Sequence, residues 1–481
     1  MTTQASIETL DLEDIQGLIM RTYPLPCARY VYVHVNDNIA ARNTLETLTN
    51  NHITSSSVWQ DDTKGNANGI KQALNIAFTF KGLMALGLPA SSLISFPTAF
   101  AEGMAKRKIL LGDEGDSDPG KWDKVWRDSN ADSKKAIHLW LAIFTADEST
   151  RDSYYNELAK LMKTGSGLTV LGFEDAGLFK DPKTSKYLNI EHFGYRDGIS
   201  DIEFKGMPFQ RIDGRGKLMP DGSWEPLATG EFLLGYPDES PEWPIAPIPH
   251  SLARNGTFMA VRKLHQNVAS FRKYLDEQSQ KYPGGKELLA AKFVGRWRDG
   301  TPLTLSPNKE DPVLTNDASL NNNFNYKNDM DGHRCPMGAH IRRMNPRDAM
   351  VFSKLADRRR ILRRGFPYGT YTPEDQPVND ADEHGTMFLA LNSSLERQFE
   401  FVQQQWVHYG NDFFQGDDKD PLLGNNEGKG KMVIQGDSET SRPPHICTNL
   451  PSFVNTRGGD YFFIPSLTAL RQIAMGLVST I

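Results

Sequence analysis

The chain has 481 residues, of which 38% are hydrophobic and 24% charged, and its formal net charge is -6. This composition is typical of a folded globular protein, and the length favours two domains of roughly 200 residues each. Nucleic-acid affinity comes mainly from phosphate neutralisation by Lys and Arg. The acidic balance therefore argues against a nucleic-acid partner, and any basic surface must be local.

The three cysteines, Cys27, Cys335 and Cys447, lie far apart, so the sequence has neither a Cys-x-x-Cys pair nor a disulfide framework. The first residues are acidic and show no export signal and no twin-arginine motif. No apolar run approaches the roughly 18 residues that span a bilayer. We therefore expect a cytoplasmic protein without a membrane partner, and secretion by another route stays open.

Strand and helix patterns alternate along the N-terminal half. Cys27–Val35 is rich in β-branched and aromatic residues, which predicts a buried strand, and the residues after it have the Asn/Asp cap and the spacing of a helix. The same order recurs within 73–88 and 136–162, and residues 167–177 predict one more strand.

The C-terminal half repeats this order in three segments, 256–275, 385–406 and 459–475. In the second segment one helical face is apolar, which predicts that it is core; it carries Leu395, Phe399, Val402 and Trp406. Two such halves predict a duplicated α+β fold with antiparallel sheets packed with helices. We place the division between residues 1–205 and 206–481.

Three motifs place charged residues beside glycines, which permit close approach of the backbone to a flat ligand. They are "FGYRDGIS" (193–200), "GAHIRRMNPRD" (338–348) and "RRRILRRGFPYG" (358–369). In this order, with Asp197, His340 and Arg363 at the key positions, they resemble the dye-decolorising peroxidase superfamily, in particular its larger, insertion-rich members. Other similar segments extend the resemblance nearly end to end, including "LEDIQGLI" (12–19), "EFLLGYPDE" (231–239), "NGTFMAVRKL" (255–264) and "AAKFVGRWRDGTPL" (290–303).

The resemblance implies two ferredoxin-like halves and one haem b in a cavity of the C-terminal half. Haem iron needs an axial ligand, commonly a neutral imidazole, so His340 is the predicted iron ligand. Its other ring nitrogen should donate to a carboxylate, for which Glu396 and Glu400 are candidates. Haem propionates need charge-assisted hydrogen bonds, and the arginines around His340, above all Arg347, are predicted to supply them. Further residues are expected against the haem: Gly198, Ile199, Ser200, Asn345, Pro346 and Arg363.

On the other face of the haem, hydrogen peroxide must lose a proton from one oxygen and regain it on the other before its O–O bond breaks. The resemblance gives Asp197 this acid–base role, and it gives Arg363 the stabilisation of developing negative charge. Gly365 stands where some shorter members carry an asparagine, so asparagine-assisted chemistry is not expected. Because carboxylates titrate at about pH 4 unless perturbed, we predict an acidic optimum for dye oxidation.

The predicted activity is a haem peroxidase that acts on dyes, phenolics and other bulky aromatic reductants. Bulky reductants could react at the haem edge or through a surface Tyr or Trp, which the sequence does not single out. The alternative function is a haem-binding protein for iron or haem storage or delivery. A third candidate function is that of a chlorite-decomposing haem enzyme, but the Asp197 motif disfavours this function. The oligomeric state, and whether Asp197 or Arg363 dominates catalysis, stay open.

Individual motif residues also have plainer interpretations. His333 lies in a turn-like segment and could be a structural histidine, while Cys335 could be a thiolate ligand. Asp197 could be a turn aspartate, because Asp-Gly is a common turn pair. Residues 357–364 could form a solvated basic face or a nucleic-acid patch, although the Ile and Leu within this segment fit entry into a core.

Overall fold

The computed structural model describes residues 9–62, 65–181, 183–350, 353–436 and 442–478. Within these residues, nine antiparallel strands form one sheet, numbered in chain order as β1 Cys27–Val35, β2 Gln72–Phe78, β3 Leu139–Thr145, β4 Leu168–Gly177, β5 Thr257–Gln266, β6 Leu362–Arg363, β7 Phe366–Gly369, β8 His384–Asn392 and β9 Val454–Ile464. The buried strand predicted at β1 is confirmed over its whole length.

Both halves of the sheet have the same strand order. In the N-terminal half the neighbours run β2, β3, β1, β4, and in the C-terminal half they run β6 with β7, then β8, β5 and β9. With β6 and β7 counted as one broken strand, each order is second, third, first, fourth. This is the ferredoxin-like arrangement, so the predicted duplication is confirmed.

The two halves join into one barrel, by strand pairing at one junction and by packing at the other. β9 pairs with β2 at Phe463 and Phe78, and β7 packs against β4 at the other end of the strand order. The main hydrophobic core contains residues of both halves. The division between 205 and 206 lies in a turn and stays a prediction, because this shared core crosses it.

The longer helices lie mainly in the connections between strands: α1 Asn38–Asn51, α2 Lys124–Ala131, α3 Glu148–Leu161, α4 Val268–Ser279, α5 Gly285–Val294 and α7 Leu467–Met475. The Asp37 carboxylate accepts from the Ala40 amide and caps α1. Short helices are Gly17–Met20, Phe80–Ala85, Ala90–Leu93, Thr98–Glu102, Lys108–Leu111, His250–Ala253, Pro312–Asn316, Ser353–Asp357 and α6 His340–Met344. No described helix combines the length and the apolar character that a bilayer crossing requires.

The helix predicted after β8 consists of two π-helical segments, Leu395–Glu400 and Val402–Val407. Its four predicted core residues are all buried, which confirms the predicted apolar face. Two long loops of the C-terminal half extend from the strands and helices described above. The first runs from α5 to β6 and contains α6, and the second runs from Val407 to β9 and contains Asp420.

Candidate active site

His340 is the first residue of α6, and its ring is fixed by a buried carboxylate. Nδ1 lies 3.0 Å from Oδ2 of Asp420, whose side chain is fully buried. The other oxygen, Oδ1, accepts from the backbone amides of Leu422 and Leu423, each at 2.9 Å. Burial acts to raise the pKa of Asp420, but the charge and hydrogen bond of His340 outweigh it, so this pKa is lowered. Nδ1 therefore carries the proton, and Nε2 is left as the metal-binding atom.

The sequence-based candidates for this carboxylate, Glu396 and Glu400, were wrong. Glu400 accepts from Nη2 of Arg107 at 2.6 Å and from the Tyr461 hydroxyl at 2.8 Å. Glu396 accepts from the Ala99 amide at 3.1 Å. Both carboxylates therefore attach the π-helical segment to the sheet and to neighbouring helices. Asp420 had only one weak signal in the sequence, because an aspartate before proline is typical of a turn.

Two of the arginines that follow His340 brace loops, so the prediction that they bind propionates was wrong. Arg342 donates to the carbonyls of Asp329 and Cys335, each at 2.8 Å. Arg343 donates to the Trp406 carbonyl at 3.0 Å and to the Asp418 carbonyl at 2.9 Å. Because Asp418 belongs to the loop of Asp420, Arg343 holds that loop against α6.

A different set of arginines forms a buried cationic cluster, made of Arg296, Arg347 and Arg360. Arg296 and Arg347 both donate to Oδ1 of Asn322, at 2.9 and 2.7 Å, and Arg360 donates to the Gly216 carbonyl at 3.1 Å. These acceptors are neutral, and within the described residues none of the three forms an ion pair with a carboxylate. Burial, together with the charges of Arg360 and Arg296, lowers the pKa of Arg347 to about 9, against the opposing effects of Tyr326 and Asp348. Asp348 and Asp357 act on Arg347 and Arg360 only from beyond ion-pair distance. The three guanidiniums therefore lack directly bound anions in the part of the chain that the structure describes.

Buried cations without counter-anions are costly, so this cluster fits the two propionates of a haem. Arg347 lies in the loop directly after α6, which places the cluster close to His340 in the chain. The residues present therefore fit the cofactor on two independent grounds: a ring nitrogen aimed by a buried carboxylate, and buried arginines that bind only neutral acceptors. The predicted role of Arg347 is consistent with its position.

Asp197 and Arg363 come together, although 166 residues separate them. Arg363 Nη1 lies 3.5 Å from Asp197 Oδ1, and the side chains are 47% and 45% exposed. The Gly198 amide donates to the same Oδ1 at 2.7 Å, and Asn189 donates its side-chain amide to the Asp197 carbonyl at 2.8 Å. A hydrogen bond therefore fixes the Asp197 carboxylate, while part of its surface stays accessible to a ligand. An acid–base group requires both properties.

The loop that carries Asp197 reaches the arginine cluster indirectly, through Ile199 and Gly300. A Cβ on Gly300 would lie 2.4 Å from Cδ1 of Ile199, so this isoleucine packs directly on the glycine backbone. The Gly300 carbonyl in turn accepts from Arg296 at 2.9 Å, and the charge of Arg363 acts on Arg296. Ser200 is half-buried. The motifs of Asp197 and Arg363 therefore meet at the arginine cluster, to which the motif of His340 contributes Arg347.

The remaining predicted haem contacts, Asn345 and Pro346, form the turn between α6 and Arg347. The Asn345 amide donates to the Ile341 carbonyl at 3.0 Å and ends the helix, and Pro346 is buried. This turn directs the Arg347 side chain into the cluster.

Two of the plainer interpretations are wrong. Cys335 is fully buried, and burial raises its pKa to about 11, so it is a thiol and a poor iron ligand. Residues 357–364 do not form a solvated face, because Arg360 and Arg364 are buried and Arg358 pairs with Asp238 at 2.8 Å.

Only glycine fits at position 365, because the backbone of the neighbouring strand lies very close. A Cβ at this position would lie 1.9 Å from the Met387 carbonyl oxygen on β8. An asparagine therefore does not fit here without displacement of the strand.

Known proteins resemble this chain in both sequence and fold. The DyP dimeric alpha+beta barrel domain matches residues 14–171, and the C-terminal domain of Dyp-type peroxidases matches residues 248–417. Peroxidase 2 of Mycetinis scorodonius is 30% identical over 98% of this chain and 89% of its own length. A multifunctional dye peroxidase of an Amycolatopsis species is 34% identical over 59% of this chain and 61% of its own length.

Solved structures give the same result. The structure of an ancestral D-type dye decolorizing peroxidase has a TM-score of 0.80 at 29% identity and covers 97% of this chain and 99% of that one. A dye-decolorizing peroxidase in complex with 2,6-dimethoxyphenol has a TM-score of 0.77 at 26% identity, with coverage of 97% and 100%. The chain belongs to the DyP-type peroxidase family, whose members are haem enzymes, and both the family and the fold class predicted from the sequence are confirmed.

Proposed function

We propose that the protein binds one haem b and uses hydrogen peroxide to oxidise dyes, phenolics and other bulky aromatic compounds. The observation that carries the proposal is the hydrogen bond from His340 to Asp420, which leaves Nε2 free for iron. The relatives named as dye peroxidases, and the relative solved with 2,6-dimethoxyphenol, support the choice of reductant.

His340 would hold the haem through Nε2, and the arginine cluster would bind its propionates. When bound, the haem supplies the iron at which peroxide is reduced and holds the oxidising equivalents until the reductant consumes them. Asp420 keeps the proton of the ring on Nδ1 and makes the imidazole a stronger electron donor. Arg343 supports this arrangement because it fixes the loop of Asp420 against α6.

Asp197 would take a proton from the bound peroxide and return it to the departing oxygen. The Gly198 amide binds this carboxylate and Asn189 holds the backbone carbonyl of the same residue, while the side chain stays 45% exposed and open to a ligand. Arg363 adds positive charge 3.5 Å away, which stabilises the anion that forms as the O–O bond breaks. Both groups act before any reductant is needed, so their loss should affect the peroxide reaction first.

The test uses haem-loaded protein and stopped-flow mixing with peroxide. Asp197→Asn should lower the rate constant about 10²- to 10⁴-fold, and Arg363→Leu about 10²- to 10³-fold, while both keep the haem absorption band. Arg363→Lys should recover part of the loss. Asp331→Asn removes an acid that is 87% exposed and is the matched control.

Three outcomes would contradict the proposal. The loaded protein could show no haem absorption band, or His340→Ala could show the wild-type haem band without added imidazole. Asp197→Asn and Arg363→Leu could both react with peroxide at the wild-type rate. A protein that only stores or delivers haem would bind the cofactor but would not turn over an anthraquinone dye with peroxide. Asp197 and Arg363 serve no purpose in storage, so no observation favours that alternative.

A further inference from the structure

A cavity of about 500 Å³ lies beside the loop that follows α6, and the mechanism above uses only the two arginines, Arg347 and Arg360, in its wall. Asn345 and Arg347 form one wall and Arg360 another. The hairpin formed by Lys217–Leu218 and Trp224–Glu225 contributes apolar surface through Leu218 and Trp224. Two buried guanidiniums of the arginine cluster therefore line a space that is large enough for a small aromatic molecule.

Asp357 lines this cavity, and the mechanism above gives it no role. Its side chain is partly buried, and within the described residues its carboxylate accepts no hydrogen bond and forms no ion pair. The charges that act on it belong to Arg360, Glu239, Lys217 and Glu231, and burial is the main reason that its pKa is raised to about 6. Arg347 and Asp348 face the same cavity. A carboxylate without a partner, aimed into a cavity, is available to a ligand.

Phenol oxidation needs such a base. Loss of one electron from a neutral phenol also releases a proton, since the stable product is the neutral phenoxyl radical. A carboxylate within hydrogen-bond reach of the phenolic O–H accepts that proton as the electron leaves. The cavity shares Arg347 with the predicted propionate site, so a phenol in it would lie at the edge of the haem.

We propose that this cavity is the oxidation site for small phenols and that Asp357 is the residue that accepts their proton. The inference rests on the proposed function. The phenolic O–H bond breaks, its proton passes to Asp357, its electron passes to the peroxide-oxidised enzyme, and the phenoxyl radical leaves. Asp357 then returns the proton to solvent. One peroxide supplies the oxidising equivalents for two such turnovers.

The test compares two reductants on the holoenzyme. One is 2,6-dimethoxyphenol, and the other is ABTS, which loses an electron without loss of a proton. Asp357→Asn should lower kcat for the phenol at least 10-fold, while ABTS turnover, the peroxide reaction and calorimetric binding of the phenol change less than 2-fold. Asp331→Asn, the exposed acid-to-amide control, should change none of these quantities. In the wild type, kcat for the phenol should fall as pH drops below about 6. Asp357→Asn should not show this acidic decrease in kcat.

Met219→Trp tests the location separately, because Met219 lines the cavity and has no role in the proposed reaction with peroxide. It should weaken calorimetric binding of 2,6-dimethoxyphenol several-fold and raise its KM, with the peroxide reaction unchanged. Equal loss of phenol and ABTS turnover in Asp357→Asn, or unchanged phenol turnover, would overturn the proposal. A wild type that fails to react with peroxide would instead overturn the proposed function.

Discussion

Nδ1 of His340 and Oδ2 of Asp420 lie 3.0 Å apart, although 80 residues separate them in the chain. The two amides that bind the other oxygen of Asp420 prevent the carboxylate from turning away. This arrangement sets both the direction of the ring and its electron-donating strength. The ligand field of a bound iron would therefore be determined by a residue outside the three sequence motifs.

Asp420→Asn should keep haem binding but raise the reduction potential of the iron and slow the peroxide reaction by about 10- to 100-fold. The asparagine has one carbonyl oxygen, for which His340 and the two backbone amides would compete. Spectroelectrochemistry measures the potential, and stopped-flow mixing measures the rate. Asp418→Asn is the control, since its carboxylate pairs with Lys431 at 3.3 Å. A wild-type potential in Asp420→Asn would contradict the assigned role.

The sequence predicted the strands and helices of the barrel better than it predicted the contacts made by the loops. β1 and the apolar face of Leu395 to Trp406 follow from local periodicity, so both were predictable. The partner of His340 was not, because it lies in a second loop and only tertiary structure brings Asp420 to the ring. The roles of Arg342 and Arg343 were assigned wrongly for the same reason, since neither position reveals which carbonyls will lie nearby. The cytoplasmic location stays a prediction.

Arg347→Met should weaken haem binding. Charge-assisted hydrogen bonds contribute about 1.5 to 3 kcal/mol, which corresponds to a roughly 10- to 100-fold rise in the dissociation constant. The apoprotein should be at least as stable as the wild type, because an apolar side chain replaces a buried cation without a counter-anion. The rise in Tm on haem loading should therefore be smaller in the variant.

Thermal unfolding of the apo and haem-loaded forms checks this prediction. Arg211→Met replaces an exposed arginine and should behave as the wild type does in both forms. Equal haem-induced shifts in Arg347→Met and the wild type would show that the arginine cluster does not bind the propionates.

Gly365→Ala should destabilise the fold by about 1 to 3 kcal/mol, because the added methyl group meets the Met387 carbonyl on β8 and the backbone must move. Gly365→Asn should cost at least as much. Urea unfolding measures the difference. Gly172→Ala is the matched control on β4, where the nearest atom to a new Cβ lies 4.0 Å away. Equal stability of the two alanine variants would contradict the steric argument.

His192 should make the protein less stable in mild acid. Its side chain is 3% exposed, and burial lowers its pKa to about 4, whereas an unfolded histidine titrates at about 6.5. Between these values the unfolded chain binds a proton that the folded chain does not. Stability therefore falls as pH drops from about 6.5 to 4, by up to about 1.4 kcal/mol per pH unit, and this contribution becomes constant below the folded pKa.

His192→Gln removes this titration and keeps a donor for the Tyr368 carbonyl, which Nε2 approaches at 2.7 Å. Urea unfolding at pH 6.5 and 4.5 should show that the wild type loses about 2 kcal/mol more than the variant over this interval. Carboxylates protonate in both proteins, so the difference between them isolates the histidine. Parallel losses would mean that His192 accepts a proton in the folded protein as readily as in the unfolded chain.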